Sequence, residues 1–201
     1  MARQLVRNAL KIPSAELQVH CVQPESDISG LSYRACRAVE LDNLAKSQIW
    51  DLLESNMKDI LKPSSMGWHP RQKRSEVFDR LSRFILVLER LEDDKSDKVV
   101  AFVMFRFEHE DEENLLYCYE LQVKEDVRRR GLGRKLVAIL DEIGREAEME
   151  KITLTVLKAN AKAITFYLKL GFEIDESSPS KYGEEVDYEI LSKSLVDEEC
   201  C

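Results

Sequence analysis

The chain has only three histidines, His20, His69 and His109, scattered too widely to form a ligand set. It has only five cysteines, Cys21, Cys36, Cys118, Cys200 and Cys201, with no Cys-x-x-Cys pair. An odd count without metal spacing argues for reduced thiols and for no metal. No stretch approaches the roughly 20 apolar residues that span a bilayer. The start, Met1-Ala2-Arg3-Gln4, has no apolar segment of the kind that begins a signal peptide, so an intracellular protein is expected. The pair Cys200-Cys201 would accept a prenyl group, but no polybasic segment supports an anchor, and a frayed tail is the simpler reading. Positive charge is in deficit: 30 Lys and Arg against 38 Asp and Glu leave a net charge of −8. That disfavours nonspecific nucleic-acid binding, which needs a basic footprint. It suits a basic partner drawn to an acidic cleft, or it only keeps the protein soluble; net charge does not choose between the two.

What is present is enough for one core: 44% of the 201 residues are hydrophobic. Residues 1–35 show no sustained period and read as an extension with one short helix over the main domain. From Asp42, a plausible N-cap, Leu44, Ile49, Leu52, Leu53, Met57 and Ile60 recur at helical spacing until Pro63. A loop to Pro70 and a second helix over 71–81 follow. Arg83–Arg90, Val99–Phe107 and Leu115–Val123 are rich in β-branched and aromatic residues and predict three strands. Charged turns at 92–98 and 108–114 make antiparallel hairpins of them. The pattern then predicts a helix over 131–148 with Leu132, Leu136, Ile139, Leu140 and Ile143 on one stripe, a strand over 151–157, and a helix over 161–170 ended by Gly171. A Ser/Pro/Gly-rich loop over 177–183 precedes a last strand over 188–195. The expected class is α/β, of the α+β mixed-sheet type, with antiparallel strands first and β-α-β units after. The expected division is an extension 1–32, a domain 33–195 and a tail 196–201. There is no internal repeat.

The segment Val127-Arg128-Arg129-Arg130-Gly131-Leu132-Gly133-Arg134 joins a strand to the N-terminus of an amphipathic helix. That helix end already carries partial positive charge and free N–H groups. Adding arginines there is unfavourable unless an anion joins them, so the segment predicts a phosphate site, with glycines that let the backbone approach closely. The competing reading is a solvated basic turn. A dinucleotide fingerprint is excluded because Leu136 stands where its last glycine belongs, and no P-loop Gly-Lys-Ser/Thr is present.

Arg128-x-x-Gly131-x-Gly133 matches the Arg/Gln-x-x-Gly-x-Gly/Ala motif of the GNAT acetyltransferases. Thr153 through Gly171-Phe172 resembles that family's strand, asparagine, tyrosine-bearing helix and Gly-Phe. The resemblance covers roughly residues 33–195 and implies the GNAT fold and acetyl-CoA as cosubstrate. It implies that Arg128, Arg129, Arg130, Gly131, Leu132, Gly133 and Arg134 bind the pyrophosphate. Gln122 and Val123 would pair with pantetheine through their backbone, and Asn160 and Tyr167 would sit near the pantetheine and sulfur. Within the family, Leu116-Tyr117-Cys118-Tyr119-Glu120, Leu154-Thr155-Val156, Phe172-Glu173-Ile174-Asp175 with Ser177-Ser178-Pro179-Ser180, and Tyr188-Glu189-Ile190-Leu191 resemble the NatD-type N-terminal acetyltransferases. These act on core histones beginning Ser-Gly-Arg-Gly.

Acetyl transfer to an amine needs a base, a polarised carbonyl and a proton for the leaving thiolate. A carboxylate in a strand just before the phosphate loop makes Glu120 the first candidate base, acting directly or through water; otherwise it is an edge-strand glutamate in water. A backbone N–H from 121–123 would polarise the carbonyl. Tyr117 and Tyr119 share a strand face, opposite Glu120 if the pleat is regular; a bulge would change this. The resemblance places both tyrosines at the substrate, with Tyr119 assisting proton transfer and Tyr167 protonating the thiolate. By pattern alone, all three read equally as packing residues. Glu108 and Glu110, in a run that otherwise reads as a solvated turn, fall where the resemblance puts the acids that grip the substrate amine and its arginine. Thr155 and Tyr188 match substrate positions, whereas Leu61 and Met66 replace family aromatics. Cys118 has no adjacent histidine and is not expected to be a nucleophile.

The resemblance therefore implies an N-terminal acetyltransferase working by direct attack in a ternary complex. Its substrates would be basic histone tails, with no nucleic acid and no membrane involved, and a monomer is expected in the nucleus and cytoplasm. Arg71-Gln72-Lys73-Arg74 is too weak to be a nuclear signal by itself. A GNAT acting on lysines or small amines and an acidic histone-binding module without turnover are the alternatives.

Overall fold

The structure, a computed structural model, describes residues 2–21, 30–90 and 97–196. Part of the expected 92–98 turn and the Cys200-Cys201 tail lie outside the described residues. The elements are α1 (Ala2–Ala9), α2 (Ser14–Leu17), β1 (Leu31–Arg37), α3 (Asn43–Leu61), α4 (Pro70–Val77), β2 (Arg83–Glu89), β3 (Lys98–Glu110), β4 (Glu113–Val123), α5 (Leu132–Glu146), β5 (Lys151–Leu157), α6 (Ala161–Leu168), β6 (Glu173–Ile174) and β7 (Tyr188–Ser194). The seven strands form one mixed sheet in the order β1-β2-β3-β4-β5-β7-β6. Among the described residues only β4 and β5 pair in parallel, across the α5 crossover.

The sheet is covered on both faces, and residue alternation shows why. In β2, Phe84, Leu86 and Leu88 join the cluster under α3 and α4, with Ile49, Leu53 and Val77. Ile85 and Val87 join the opposite cluster under α1 and α5, with Val6, Leu136 and Ile143. A strand buried on both faces has to be apolar throughout, as Arg83–Glu89 nearly is. The expected stripe of α5 is buried in full. Asp42 caps α3 by accepting from the Ala45 N–H at 2.7 Å.

Three expectations are corrected. The unperiodic opening holds two helices, and its end is an edge strand: Leu31–Arg37 pairs antiparallel with β2 along its whole length. A short edge strand with one solvent face shows no continuous apolar run, so composition hides it. Gly171 has φ +85 and ends α6 as expected, but β6, two residues long, follows where none was predicted. The acidic run is also not a broad turn. β3 continues to Glu110 and β4 starts at Glu113, so Glu108 and Glu110 lie on a strand. Only Asp111 (φ +45) and Glu112 (φ +67) turn the chain, as a two-residue hairpin with left-handed backbone requires.

Arg83 ties the opening helices to this frame. Its side chain is buried, with Nη1 donating to the Ile12 carbonyl (2.8 Å) and Nη2 to those of Ala9 (3.2 Å) and Leu10 (2.8 Å). The guanidinium also lies over the Phe107 ring. Hydrogen bonds from a buried cation are costly to remove. Arg83→Met is therefore expected to lower stability by about 3 kcal/mol. Urea unfolding checks this as a fall in midpoint at unchanged slope; a midpoint within error of wild type would show the helices held by apolar packing alone.

Candidate active site

The pairing of β4 with β5 ends at Tyr117 opposite Thr153, although β4 continues to Val123 and β5 to Leu157. Beyond that point the strands part, and a cleft runs through the opening. One compartment, about 260 Å³, is lined from Tyr117 to Gln122 on β4 and from Leu154 to Leu157 on β5. The other, about 670 Å³, is lined by Val123, Arg128, Arg129, Gly131, Leu132, Gly133, Arg134 and Phe166. Met57, Leu121, Gln122, Asn160, Ala163 and Tyr167 line both, so the two are continuous.

The larger compartment combines arginines, glycines and the N-terminus of α5. Gly131 caps α5 with φ +86 and brings no side-chain cap, and the first N–H groups of a helix have no partner within it. Arg129 is left-handed at φ +63, which bends the loop around them. Gly133 has a steric reason to be glycine: a Cβ there would meet Phe166 Cζ at 3.1 Å. Arg128 reaches back, donating from Nε to the Val123 carbonyl (3.1 Å) and from Nη2 to Asn56 Oδ1 (2.7 Å). The Val123 carbonyl, expected to meet pantetheine, also accepts from Asn56 Nδ2 at 3.2 Å. Arg130 is exposed and does not line the cleft.

The smaller compartment carries the candidate chemistry, and a bulge creates it. Met104 pairs with Glu120 but Phe105 pairs with Cys118, so Tyr119 is an extra residue in β4. The regular alternation that would set Glu120 opposite the tyrosines is thereby broken. Tyr117, Tyr119 and Glu120 all line the same compartment. The Tyr117 and Tyr119 rings lie 4.7 Å apart. The Tyr117 hydroxyl meets Thr155 Oγ1 at 2.6 Å, and the Tyr119 hydroxyl donates to Glu108 at 2.7 Å. Burial raises both phenols, and Glu108 raises Tyr119 further, so both stay protonated at neutral pH. Glu110 is raised by partial burial and by neighbouring Glu108. Tyr188 opens β7 opposite Leu157 and does not line this compartment.

Glu120 is 6% exposed. Its Oε1 lies 2.7 Å from Lys73 Nζ and its Oε2 accepts from Gln122 Nε2 at 2.8 Å. Tyr167, buried on α6, is raised well above an ordinary phenol by burial, with Cys118 and Glu120 adding to the effect. Burial pushes the Cys118 thiol up to about 12, so it is not a nucleophile at neutral pH. Trp68 stacks on Trp50 at 5.6 Å as a core anchor, while Leu61 and Met66 line the cleft. Asn160 caps α6, accepting weakly from Ala163 N–H at 3.3 Å. Among the described residues no cluster of metal ligands occurs.

Sequence reasoning missed Lys73, Glu76 and Asn56. Lys73 sat in a basic run weighed only as a targeting signal, whereas Arg74 of that run stacks over Trp50 and Phe78. The 173–180 motif proves to be β6 and a loop tied to β5 and β7. Asp175 binds Lys151 and Ser177, and Glu189 accepts from the hydroxyls of Ser178 and Ser180.

Residues 49–172 match the family model described as Acetyltransferase (GNAT) family. The chain belongs to the GNAT acetyltransferase family. N-alpha-acetyltransferase 50 of Danio rerio is 34% identical over 103 residues, 50% of this chain; the match spans 61% of that relative's length. Among solved structures, an acetyltransferase from Streptococcus agalactiae shares the fold at TM-score 0.61 and 18% identity, covering 83% of this chain and 99% of that one. The NatC complex bound to Gag peptide and CoA gives TM-score 0.58 and 18% identity over 83% and 99%. The fold is the mixed α/β GNAT fold, as the sequence motif implied.

Proposed function

We propose that the chain is an N-terminal acetyltransferase taking acetyl-CoA as cosubstrate and basic protein N-termini, with core histones beginning Ser-Gly-Arg-Gly as substrates. The observation that carries this reading is the polarity of one continuous cleft. At one end is an arginine-lined helix terminus; at the other is the buried Glu120 carboxylate with Tyr117 and Tyr119, and the Tyr119 hydroxyl reaches out of the compartment to Glu108 on β3, with Glu110 two residues further along that strand. The cationic end fits a pyrophosphate, and the relative named for N-alpha-acetylation supports an α-amine as acceptor.

The cosubstrate supplies an activated acetyl thioester. Arg129, Arg134 and the N–H groups at the start of α5 hold its diphosphate, and the opening between β4 and β5 admits the pantetheine. Glu120 takes the proton from the attacking amine, directly or through water, as nitrogen bonds to the carbonyl carbon. The carbon–sulfur bond breaks and Tyr167, kept protonated by its burial, gives its proton to the thiolate. No acyl-enzyme is formed. Tyr117 and Tyr119 form the wall against which the first residues of the substrate lie. Glu108 and Glu110 face the arginine of the third position, a carboxylate fork suited to guanidinium. Residence in both nucleus and cytoplasm follows from that substrate.

A panel of peptides beginning Ser-Gly-Arg-Gly and carrying a lysine further along, with free and blocked N-termini, tests this. Turnover is expected only with the free terminus, and at least about tenfold lower kcat/KM when the arginine is replaced by alanine, one lost charge-assisted pair. Turnover of blocked peptides would identify a lysine enzyme. Binding of free and blocked peptides without turnover would identify a histone-binding module.

A further inference from the structure

Six polar side chains from four segments form one unbroken chain through the cleft floor. Lys73 Nζ on α4 lies 2.7 Å from both Glu76 and Glu120 Oε1. Gln122 Nε2 donates to Glu120 Oε2 at 2.8 Å. Asn56 Nδ2 on α3 donates to Gln122 Oε1 at 2.9 Å, and Arg128 Nη2 donates to Asn56 Oδ1 at 2.7 Å. The amide orientations follow from chemistry. A guanidinium only donates, so Asn56 must offer it oxygen, and a carboxylate only accepts, so Gln122 must offer it nitrogen. The direction of every bond in the relay is thereby fixed from both ends. Both oxygens of Glu120 are occupied, one by a cation and one by an amide that reports on the phosphate loop.

Lys73 is no reactive amine. Burial alone would make it a weaker base, but the Glu120 and Glu76 carboxylates outweigh burial and hold the ammonium above the ordinary lysine value. It is a fixed countercharge in a place where a lone carboxylate is expensive. Around Glu120 the other titratable groups are Glu76 on α4, Cys118 on its own strand and Tyr167 on α6. The thiol and the phenol both stay protonated at neutral pH, so Lys73 is the cation in direct contact with the carboxylate.

We propose that Lys73 and Asn56 are positioning residues for Glu120: Lys73 supplies the countercharge that fixes the carboxylate, and Asn56 couples its placement to occupancy of the phosphate loop through Arg128. This rests on the reading of Glu120 as proton acceptor.

The test uses the whole chain and three variants, K73M, K73R and N56L. In K73M the acid limb of the kcat/KM pH profile is expected to move up by about one pH unit, because a buried carboxylate without its cation ionises less readily. In K73R the limb stays where wild type has it. In N56L, kcat at saturating acetyl-CoA is expected to fall about tenfold. If Asn56 only anchored Arg128 for binding, KM for acetyl-CoA would rise and kcat would be restored at saturation, which would overturn the coupling. A K73M profile superimposing on wild type would overturn the role of Lys73. A readout independent of turnover is the Gln122 side-chain NH₂ resonance, assigned through its loss in Q122E. Addition of CoA should shift it in wild type and clearly less in N56L, where only the direct effect of the ligand on Gln122 remains; equal shifts in the two would overturn the relay. An unmoved signal in wild-type protein that binds CoA overturns the relay. A shifted signal in a protein that acetylates no peptide would retain the relay and refute the acetyl-transfer reading instead.

Discussion

Glu120→Gln is expected to lower kcat/KM for peptide acetylation by roughly 10³-fold, within the range that a positioned general base contributes. The substitution keeps shape and hydrogen-bonding length, so its effect isolates the charge. Acetyl-CoA affinity should fall by no more than about fivefold, since Glu120 reaches the phosphate loop only through Gln122, Asn56 and Arg128. The ion pair with Lys73 is lost, however, and a buried ammonium left without its full countercharge costs stability. Kinetics must therefore be read well below the variant's own unfolding midpoint. A folded E120Q enzyme retaining more than a tenth of wild-type kcat/KM would remove Glu120 from the chemistry and leave a solvent water as proton acceptor.

Reversing charge at the mouth of the helix, in R129E/R134E, is expected to weaken acetyl-CoA binding by about 100-fold, or about 2.7 kcal/mol. Each arginine is exposed and lines the larger compartment. Two charge-assisted contacts to a diphosphate account for a loss of that size even after solvent screening. Both side chains sit outside the core, so the thermal midpoint should move by no more than about 2 °C. Titration calorimetry at low and high salt checks the electrostatic origin, because the gap between wild type and variant should narrow as salt rises. An unchanged dissociation constant would mean that the arginines only solubilise the turn, the bland alternative that the sequence left open.

The parts of the fold that were legible share one property: their determinants are local. The 3.6-residue period of α3 and α5, the Asp42 cap and the β-branched runs of β2 and β5 depend on neighbours within one or two turns. The arginine- and glycine-bearing turn was legible for the same reason, since Arg128 to Gly133 are consecutive residues. β1 escaped because an edge strand needs an apolar pattern on one face only, and the acidic hairpin because charged residues at a strand end look like a turn. Lys73 and Asn56 escaped because nothing near them in the chain names their partners. Asn56 and Gln122 are 66 positions apart.

The sequence by itself determined the GNAT family and an arginine- and glycine-bearing turn at the start of α5, because hydrophobic period and loop chemistry act over short range. Only the tertiary structure decided what the carboxylate can do. A one-residue slip between β3 and β4 turns Glu120 onto the face of Tyr117 and Tyr119, and α3 and α4 then bring Asn56 and Lys73 to it. Strand register is set by pairing and burial across the whole sheet, so no stretch of sequence carries it alone.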